Sequence, residues 1–240
     1  MNLYISAKKD YIDLKNLAST DHMLGGYLSV SQLANTIPIE PTRLKNIRNR
    51  EIQNMFPNSS NVDKNELFID RVGFYSMTKP WSAKKIMDVL KRYFDPAKIT
   101  LVSATSGIGG DLICIAPYFK FIYGYEIDKT RFDMLSNNVA VYDLSNVKLF
   151  NEDYTQHINR EDADAVLVDP PWGGLDYKKL EFNNTMISDL NMADIVNRVD
   201  CRWVIMKLPQ NQDMRIFEGM KYDIHHIDNY LLIVFVKQVK

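Results

Sequence analysis

The residues Asp169-Pro170-Pro171-Trp172 follow an apolar run, 163–168, that reads as a buried strand. The exocyclic amine of a nucleobase is a poor nucleophile, because its lone pair is delocalised into the ring. The Asp169 carboxylate and the Pro170 carbonyl can accept hydrogen bonds from both N–H groups of such an amine and aim its lone pair. The prolines stiffen the turn and bring no competing N–H group, and Trp172 offers a flat wall for a base. This segment, which we call the DPPW turn, predicts methylation of a nucleobase amine through alignment and electrostatics, with no metal ion.

Three more strand ends carry residues suited to a nucleoside cofactor. The glycine loop 107–110 follows the apolar run 99–104, and its glycines allow a ligand close to the backbone. Glu126 ends the next strand about 20 residues later, where a carboxylate suits a ribose diol. Asp153-Tyr154 ends a third strand, where an acid can accept from an adenine amine while its neighbour packs on the ring. Since the carboxyl ends of parallel strands form one crevice, we expect these residues to share a site.

The elements that would position these residues alternate between strand and helix from about residue 66. Strands are predicted at 99–104, 121–128, 147–153, 163–169 and 202–209, and helices at 82–94, 128–142 and 184–199. Two final strands, joined by a tight turn at Asp228-Asn229, must be antiparallel. A seven-stranded, mostly parallel α/β sheet ending in such a hairpin is the plan of Rossmann-like class I S-adenosylmethionine (AdoMet)-dependent methyltransferases. The predicted cofactor is therefore AdoMet.

Composition narrows the classes of function. With 240 residues and a net charge of -1, the chain fits one α/β domain with a small extension, and any nucleic-acid site must be local. Its two cysteines lack metal-ligand spacing, so we expect free buried thiols and no metal ion. The sequence has neither a secretion signal nor an apolar run long enough to span a membrane. We therefore expect an intracellular protein, nuclear or cytoplasmic, without membrane partners.

Three segments resemble one family. The segment "VDPPWGGLDY" (168–177) resembles the S/D-P-P-W-G-G-P-x-Y motif of the trimethylguanosine synthases, which are RNA cap guanine-N2 methyltransferases. N6-adenine and ribosomal guanine-N2 enzymes usually have tyrosine or phenylalanine in place of that tryptophan. Upstream, "IDRVGFYSMT" (69–78) is similar to the family's "DREGWFSVTPE", and "KLPQN" (207–211) to its "LPRN". The resemblance covers about residues 66–240, and so small a chain would suit a protist or a large virus.

The resemblance implies methyl transfer from AdoMet to the exocyclic N2 of 7-methylguanosine, as m7G-capped RNA or an m7G nucleotide, by a protein that we expect to be a monomer. Asp169, Pro170 and Pro171 would hold the guanine amine. Trp172 would stack on the base, with Tyr177 nearby, because an indole face attracts the cationic N7-methylated ring by about 0.5–2 kcal/mol. The cofactor site would be lined by Ser76, Thr78, Ser103, Gly107, Gly109, Glu126, Asp153, Tyr154 and Asp169.

Three positions depart from the family pattern. The family's first strand ends in an acid ("VVDAFCGVGGN"), whereas this chain has Ser103 in "LVSATSGIGGD", and Asp111 is a candidate to compensate. Gln210 replaces the basic residue of "LPRN", and Lys207 is the candidate for that phosphate contact. Leu175 replaces the motif's last proline.

Two alternatives remain open on the sequence. One is another RNA or DNA amino-methyltransferase that uses the same DPPW geometry. The other, suggested by Ser103, is a non-catalytic cap-binding subunit.

Residues 1–65 are expected to form a small helical extension that packs beside the methyltransferase domain, 66–240. Within the extension, 41–56 reads as an amphipathic helix with the buried stripe Leu44, Ile47 and Ile52. Its basic side chains are candidates for phosphate contacts: Arg43, Lys45, Arg48 and Arg50.

Overall fold

The computed structural model describes residues 11–13, 27–29, 37–47 and 50–238. The strands in these ranges are β1 (Tyr11–Asp13), β2 (Tyr27–Ser29), β3 (Thr42–Arg43), β4 (Phe68–Ile69), β5 (Thr100–Ser103), β6 (Phe121–Tyr125), β7 (Val147–Phe150), β8 (Ala165–Val168), β9 (Met186–Ile187), β10 (Leu190–Asn191), β11 (Trp203–Pro209), β12 (Asp223–Ile227) and β13 (Tyr230–Val236). The α-helices are α1 (Arg50–Gln53), α2 (Arg71–Ser76), α3 (Pro80–Leu90), α4 (Gly110–Ile115), α5 (Lys129–Val141) and α6 (Met192–Arg198).

Seven of these strands form the central sheet, in the order β12-β13-β11-β8-β5-β6-β7. Strands β5, β6, β7, β8 and β11 run parallel, whereas β13 is antiparallel to β11 and to β12. This confirms the predicted fold, including the antiparallel hairpin with its turn at Asp228-Asn229. Strand β8 lies in the middle of the sheet, so the DPPW turn that follows it emerges at the centre of the carboxyl edge.

Apolar side chains cover both faces of the sheet because its middle strands are buried on both sides. All four residues of β8 are buried, and alternate ones belong to two different core clusters, Ala165 and Leu167 to one and Val166 and Val168 to the other. The first cluster packs under α3 and α5, and the second under α6. This two-layer burial is typical of a parallel sheet with helices on both faces.

The segment before the sheet packs into the first cluster. Leu44, Ile47 and Ile52 are buried there, as the sequence predicts. Their backbone is not one amphipathic helix over 41–56, however: it forms β3, a 3-10 turn over Leu44–Asn46 and the four-residue α1. Strand β3 pairs with β4, and the backbone N–H of Leu44 donates to the Leu67 carbonyl, so tertiary pairing overrides the helical pattern. Elsewhere in residues 1–65, Tyr11–Asp13 and Tyr27–Ser29 form the antiparallel pair β1–β2, so the predicted helical character is wrong for these residues as well.

Two basic side chains predicted to contact phosphates pair instead with an acid of the same chain. Both Arg43 and Lys45 form ion pairs with Glu66, and the Arg43 guanidinium lies 4.7 Å from the Phe68 ring centroid. Arg48 and the side chain of Arg50 lie outside the described residues. The two described basic groups therefore join this segment to residues 66–68.

The helix predicted over 184–199 is wrong in its first half and confirmed in its second half. Residues 186–191 form the hairpin β9–β10, with Ser188 at φ 49 in its turn, and the helix starts only at Met192. Asn191 and Asp194 make a capping box that fixes this start: each side chain accepts from the other's backbone N–H. Among the helices of the described ranges, none has both the length and the apolar character needed to cross a membrane.

Candidate active site

The DPPW turn is tied to the end of strand β5 by two reciprocal hydrogen bonds. The Thr105 hydroxyl donates to the Asp169 carbonyl at 2.7 Å, and the Asp169 backbone N–H donates to Thr105 Oγ1 at 3.1 Å. Thr105 lies between β5 and the glycine loop, so this pair joins the glycine loop to the DPPW turn. Sequence reasoning missed Thr105, because nothing local marks a threonine whose partner lies 64 residues away.

The Asp169 side chain forms a buried ion pair with Lys207 of β11. The Lys207 ammonium donates to Asp169 Oδ2 at 2.5 Å and to Thr78 Oγ1 at 2.6 Å, and only 5% of its side chain is exposed. The Asp169 side chain is 17% exposed, so it is not fully closed off from solvent. The structure thus places Lys207 beneath the site, bonded to the acid of the DPPW turn, and not on the surface where the sequence suggests a phosphate contact.

Burial and neighbouring charges perturb both members of this pair. Burial raises the pKa of the Asp169 carboxyl to about 7, although the Lys207 ammonium works in the opposite direction. Burial alone would lower the pKa of Lys207, but the negative charges of Asp169 and Asp111 raise it above its usual value. Lys207 therefore stays charged, and Asp169 changes protonation state near neutral pH.

Trp172 is half-buried, with aromatic neighbours on two sides. Its ring centroid lies 5.3 Å from that of Tyr177, in an edge-on arrangement, and 6.3 Å from that of Tyr230. The indole N–H donates to the Lys207 carbonyl at 3.3 Å, and the Lys207 ammonium lies 5.5 Å from the ring centroid. The Asn183 amide donates to the Trp172 carbonyl at 2.9 Å. These bonds fix both the indole and the backbone of Trp172, and the Tyr177 ring packs against the indole edge; its predicted part in binding the cap stays a prediction.

Residues after β11 pin the segment that carries Tyr177. This segment is a 3-10 helix, Gly174–Lys179, entered through Gly173 at φ 96. The Asn211 amide donates to the carbonyls of Tyr177 and Leu180, both at 2.8 Å. Asn211 is the last residue of "KLPQN", so the segment identified by resemblance serves here to position the wall beside Trp172.

Glu126 closes the glycine loop. Its two carboxylate oxygens accept from the backbone N–H groups of Gly107 at 2.8 Å and Asp128 at 2.9 Å. Burial raises the pKa of Glu126. Gly107 and Gly109 have positive φ values of 55 and 99, which explains the glycines. A carboxylate oxygen has two lone pairs, so each one retains an acceptor site beside the loop.

The segment 69–78 packs directly on the glycine loop. A side chain at Gly110 would bring its Cβ to 2.8 Å from the Thr78 backbone nitrogen, so only glycine allows this contact. The fully buried Asn138 accepts from the Phe68 N–H and donates to the carbonyls of Phe68 and Ile108. Thr78 thus lies beside the glycine loop and bonds to Lys207, and its predicted contact with the cofactor stays a prediction. Ser76 is exposed, and its hydroxyl donates to the Val72 carbonyl of its own helix.

Ser103 is buried, and its hydroxyl oxygen accepts from the Ser106 hydroxyl at 3.0 Å. The end of β5 therefore carries no charge, as the sequence indicates.

Asp153 lies at the end of β7 and is held by two hydroxyl groups. Ser188 of the β9–β10 turn donates to Oδ2 at 2.6 Å, and the Thr155 hydroxyl donates to Oδ1 at 2.8 Å. Burial opposes ionisation of Asp153, but these hydrogen bonds lower its pKa below the usual value. Tyr154 is only 3% exposed and packs edge-on against Tyr125, at 5.4 Å between ring centroids. Its ring thus belongs to the core, and its predicted contact with adenine stays a prediction.

Within the described ranges, side chains of His, Cys, Asp and Glu nowhere converge in threes as a metal site would require. This edge of the sheet carries the glycine loop, the carboxylates of Glu126 and Asp153, and the Asp169 carboxylate close to the half-buried Trp172.

Solved structures share this fold at low sequence identity. A putative methyltransferase from Porphyromonas gingivalis superimposes with a TM-score of 0.53 at 15% identity, over 72% of this chain and 44% of that one. A 16S rRNA N2 methyltransferase from T. thermophilus, solved in complex with AdoMet and guanosine, gives a TM-score of 0.52 at 12% identity. The superposition covers 65% of this chain and 43% of that one. The sheet order and these likenesses define a Rossmann-like class I AdoMet-dependent methyltransferase fold.

Sequence comparison identifies the family within that class. Residues 99–239 match the profile of the RNA cap guanine-N2 methyltransferases, and the chain belongs to this family. An uncharacterised protein of Acanthamoeba polyphaga mimivirus is 32% identical over 152 residues, which is 59% of each protein. The chain thus spans about three-fifths of the length of that curated relative.

Proposed function

We propose that this protein transfers the methyl group of AdoMet to the exocyclic N2 of 7-methylguanosine in an RNA 5′ cap. The observation that carries the proposal is the Asp169–Pro170 acceptor pair, fixed by Thr105 and set beside the half-exposed indole of Trp172. Family membership supports the reaction class. The 7-methylguanosine substrate rests on the tryptophan wall, because a cationic base is drawn to an indole face.

The residues along the sheet edge fit AdoMet. Glu126 has acceptor capacity left for a ribose, and the ionised Asp153 can accept from the adenine amine. One carboxylate oxygen of Asp111, just after the glycine loop, is buried without a hydrogen-bond partner, which is the environment a cationic ligand group would complete. When bound, AdoMet supplies an electrophilic methyl group on a sulfonium.

The chain's own part in the reaction is to bind, orient and accept protons. The free edge of Asp169 and the Pro170 carbonyl accept from the two N–H groups of the guanine amine, so its lone pair points out of the ring plane. Lys207 lies near one side of the indole, and we expect the base to stack on the other. Transfer leaves an extra proton on the nitrogen, and Asp169, with a pKa of about 7, is suited to receive it.

The test is methyl transfer from labelled AdoMet to m7GTP, with GTP as the matched substrate. The proposal is supported if the rate of methyl transfer to GTP is at least tenfold lower than the rate of transfer to m7GTP. A preference for GTP would refute the cap substrate, and transfer only to unmethylated guanine in a longer RNA would favour the alternative amino-methyltransferase. Trp172→Phe should weaken the binding of m7GTP far more than the binding of S-adenosylhomocysteine, since only m7GTP contacts the indole. A protein that binds the cap nucleotide but neither AdoMet nor S-adenosylhomocysteine would be the non-catalytic subunit.

A further inference from the structure

Asp111 has a buried carboxylate oxygen that lacks a hydrogen-bond partner. Only three buried side-chain polar atoms of the described residues are in this state, and Oδ1 of Asp111 is the one that belongs to an acid. Burial of an unsatisfied carboxylate oxygen costs free energy, so a native protein retains one only where something else offsets that cost. Asp111 takes part in no step of the proposed reaction, and its free oxygen is suited to a cationic group of the bound cofactor.

The position of Asp111 puts that oxygen beside the reacting groups. Asp111 follows Gly110, whose backbone is in contact with Met77 and Thr78, and Thr78 in turn accepts from the Lys207 ammonium. The negative charge of Asp111 acts on both members of the buried ion pair and on Tyr230, because it raises the pKa of Asp169, Lys207 and Tyr230. Electrostatic effects of this kind fall off with distance, so Asp111 lies near the glycine loop, Thr78 and the buried ion pair.

The charges in this space do not balance. Lys207 is already engaged by Asp169 and Thr78, so its positive charge is offset by that carboxylate. Asp111 forms no ion pair within the described ranges, so its negative charge lacks a partner there. A cationic ligand group with N–H donors is the chemistry that would satisfy both the charge and the free oxygen.

We infer that Asp111 binds the α-ammonium of the methionine part of AdoMet, in place of an acid at position 103. The inference rests on the proposed function. Strand β5 ends in Ser103, whose hydroxyl is engaged with Ser106 and carries no charge. In the pattern that this chain resembles, the strand ends in an acid and an asparagine follows the glycines ("VVDAFCGVGGN"), whereas here a serine and Asp111 occupy these positions. The acid is thus moved from the strand end to the helix start.

The experiment is a calorimetric titration with S-adenosylhomocysteine and with its deaminated analogue, which lacks the α-amino group. Asp111→Asn should lower the affinity for S-adenosylhomocysteine by about 10- to 100-fold, the usual range for the loss of a hydrogen bond to a charged group. The same substitution should change the affinity for the deaminated analogue by less than threefold. The double variant Ser103→Asp/Asp111→Asn, which restores the family arrangement, should recover most of the lost affinity.

Each outcome separates this inference from the proposed function. If wild-type protein binds S-adenosylhomocysteine and Asp111→Asn lowers the affinity for both ligands equally, or for neither, the role of Asp111 is refuted while the function stands. No binding of S-adenosylhomocysteine by wild-type protein would refute both. A double variant as weak as Asp111→Asn would refute the exchange of roles between positions 103 and 111. The thermal midpoint of ligand-free Asp111→Asn should be no lower than that of wild type, since an unsatisfied buried charge is removed.

Discussion

Replacing Lys207 by methionine removes the only cation that touches Asp169 among the described residues, and keeps a side chain of similar length. Burial already raises the pKa of Asp169 to about 7 with Lys207 in place, and Asp111 adds to the rise. Two unit charges about 4 Å apart interact by about 4 kcal/mol at an effective dielectric constant of about 20, which corresponds to about three pKa units. Without Lys207, the pKa of Asp169 should therefore rise well above 7.

The sign of the effect on activity follows from the role of Asp169 as a hydrogen-bond acceptor. A protonated Asp169 would donate to the guanine amine and misalign it. For wild type we expect kcat/KM for m7GTP to increase through about pH 7, as Asp169 loses its proton. In Lys207→Met this rise of kcat/KM with pH should move up by at least one pH unit, so that kcat/KM falls at least about fivefold at pH 7 and is still rising at pH 9.

The assay is the initial rate of labelled methyl transfer to m7GTP between pH 5.5 and 9.5, with urea unfolding at the same pH values. In the variant, a charged Asp169 destabilises the fold more than a neutral one, because the buried charge has lost its partner. Because a raised acid pKa favours the protonated folded state, stability should be greatest at low pH and fall as pH rises through the folded pKa. Lys207→Arg keeps the charge and should keep the wild-type limb. Lys148→Met, on the exposed part of edge strand β7, is the matched control.

Lys207→Met could instead lose the same fraction of its activity at every pH, with the rise of kcat/KM still centred near pH 7. That result would refute this reasoning and leave Lys207 a purely structural lysine.

Three further substitutions test the positioning contacts. Thr105→Val, which removes both hydrogen bonds to Asp169, should lower kcat by about tenfold with S-adenosylhomocysteine affinity unchanged, and an unaltered kcat would contradict the role of Thr105. Asn138→Leu leaves backbone groups of Phe68 and Ile108 buried without partners, so the free energy of unfolding in urea should fall by about 3–5 kcal/mol, and a loss under 1 kcal/mol would show that they find other partners. Asn211→Ala frees the segment beside Trp172 and should raise KM for m7GTP about tenfold at constant S-adenosylhomocysteine affinity, whereas equal weakening of both would point to a general loss of structure.

The strand ends were predictable because each is marked locally. The apolar runs that end at 104, 128, 153 and 169 give the parallel sheet, and polar residues directly after them must meet at one edge. Asp128 likewise caps its helix as the sequence predicts, accepting from the Arg131 N–H at 2.8 Å. Local signals of this kind need no knowledge of the rest of the chain.

The contacts that hold the site were not predictable, because their partners are distant in sequence. Lys207 lies in an apolar strand, where a lysine reads as a surface residue, and its pairing with Asp169 depends on β11 lying beside β8. The hairpin over 186–191 was missed for a similar reason. Thr185 bonds to Gln212, 27 residues away, and Ser188 to Asp153, so long-range contacts override a helical pattern.

The bonds of Asn138 also define what must fold together. This one amide joins strand β4 to the glycine loop, and apolar residues from Ile37 to Phe56 share the core cluster under α3 and α5. The family match begins at Ile99, which is itself a member of this core cluster. A chain cut to 99–239 would expose that apolar surface and leave the Ile108 carbonyl to an asparagine that had lost its other partner. We therefore expect the central sheet and residues 37–56, which share one apolar core, to unfold as one cooperative unit.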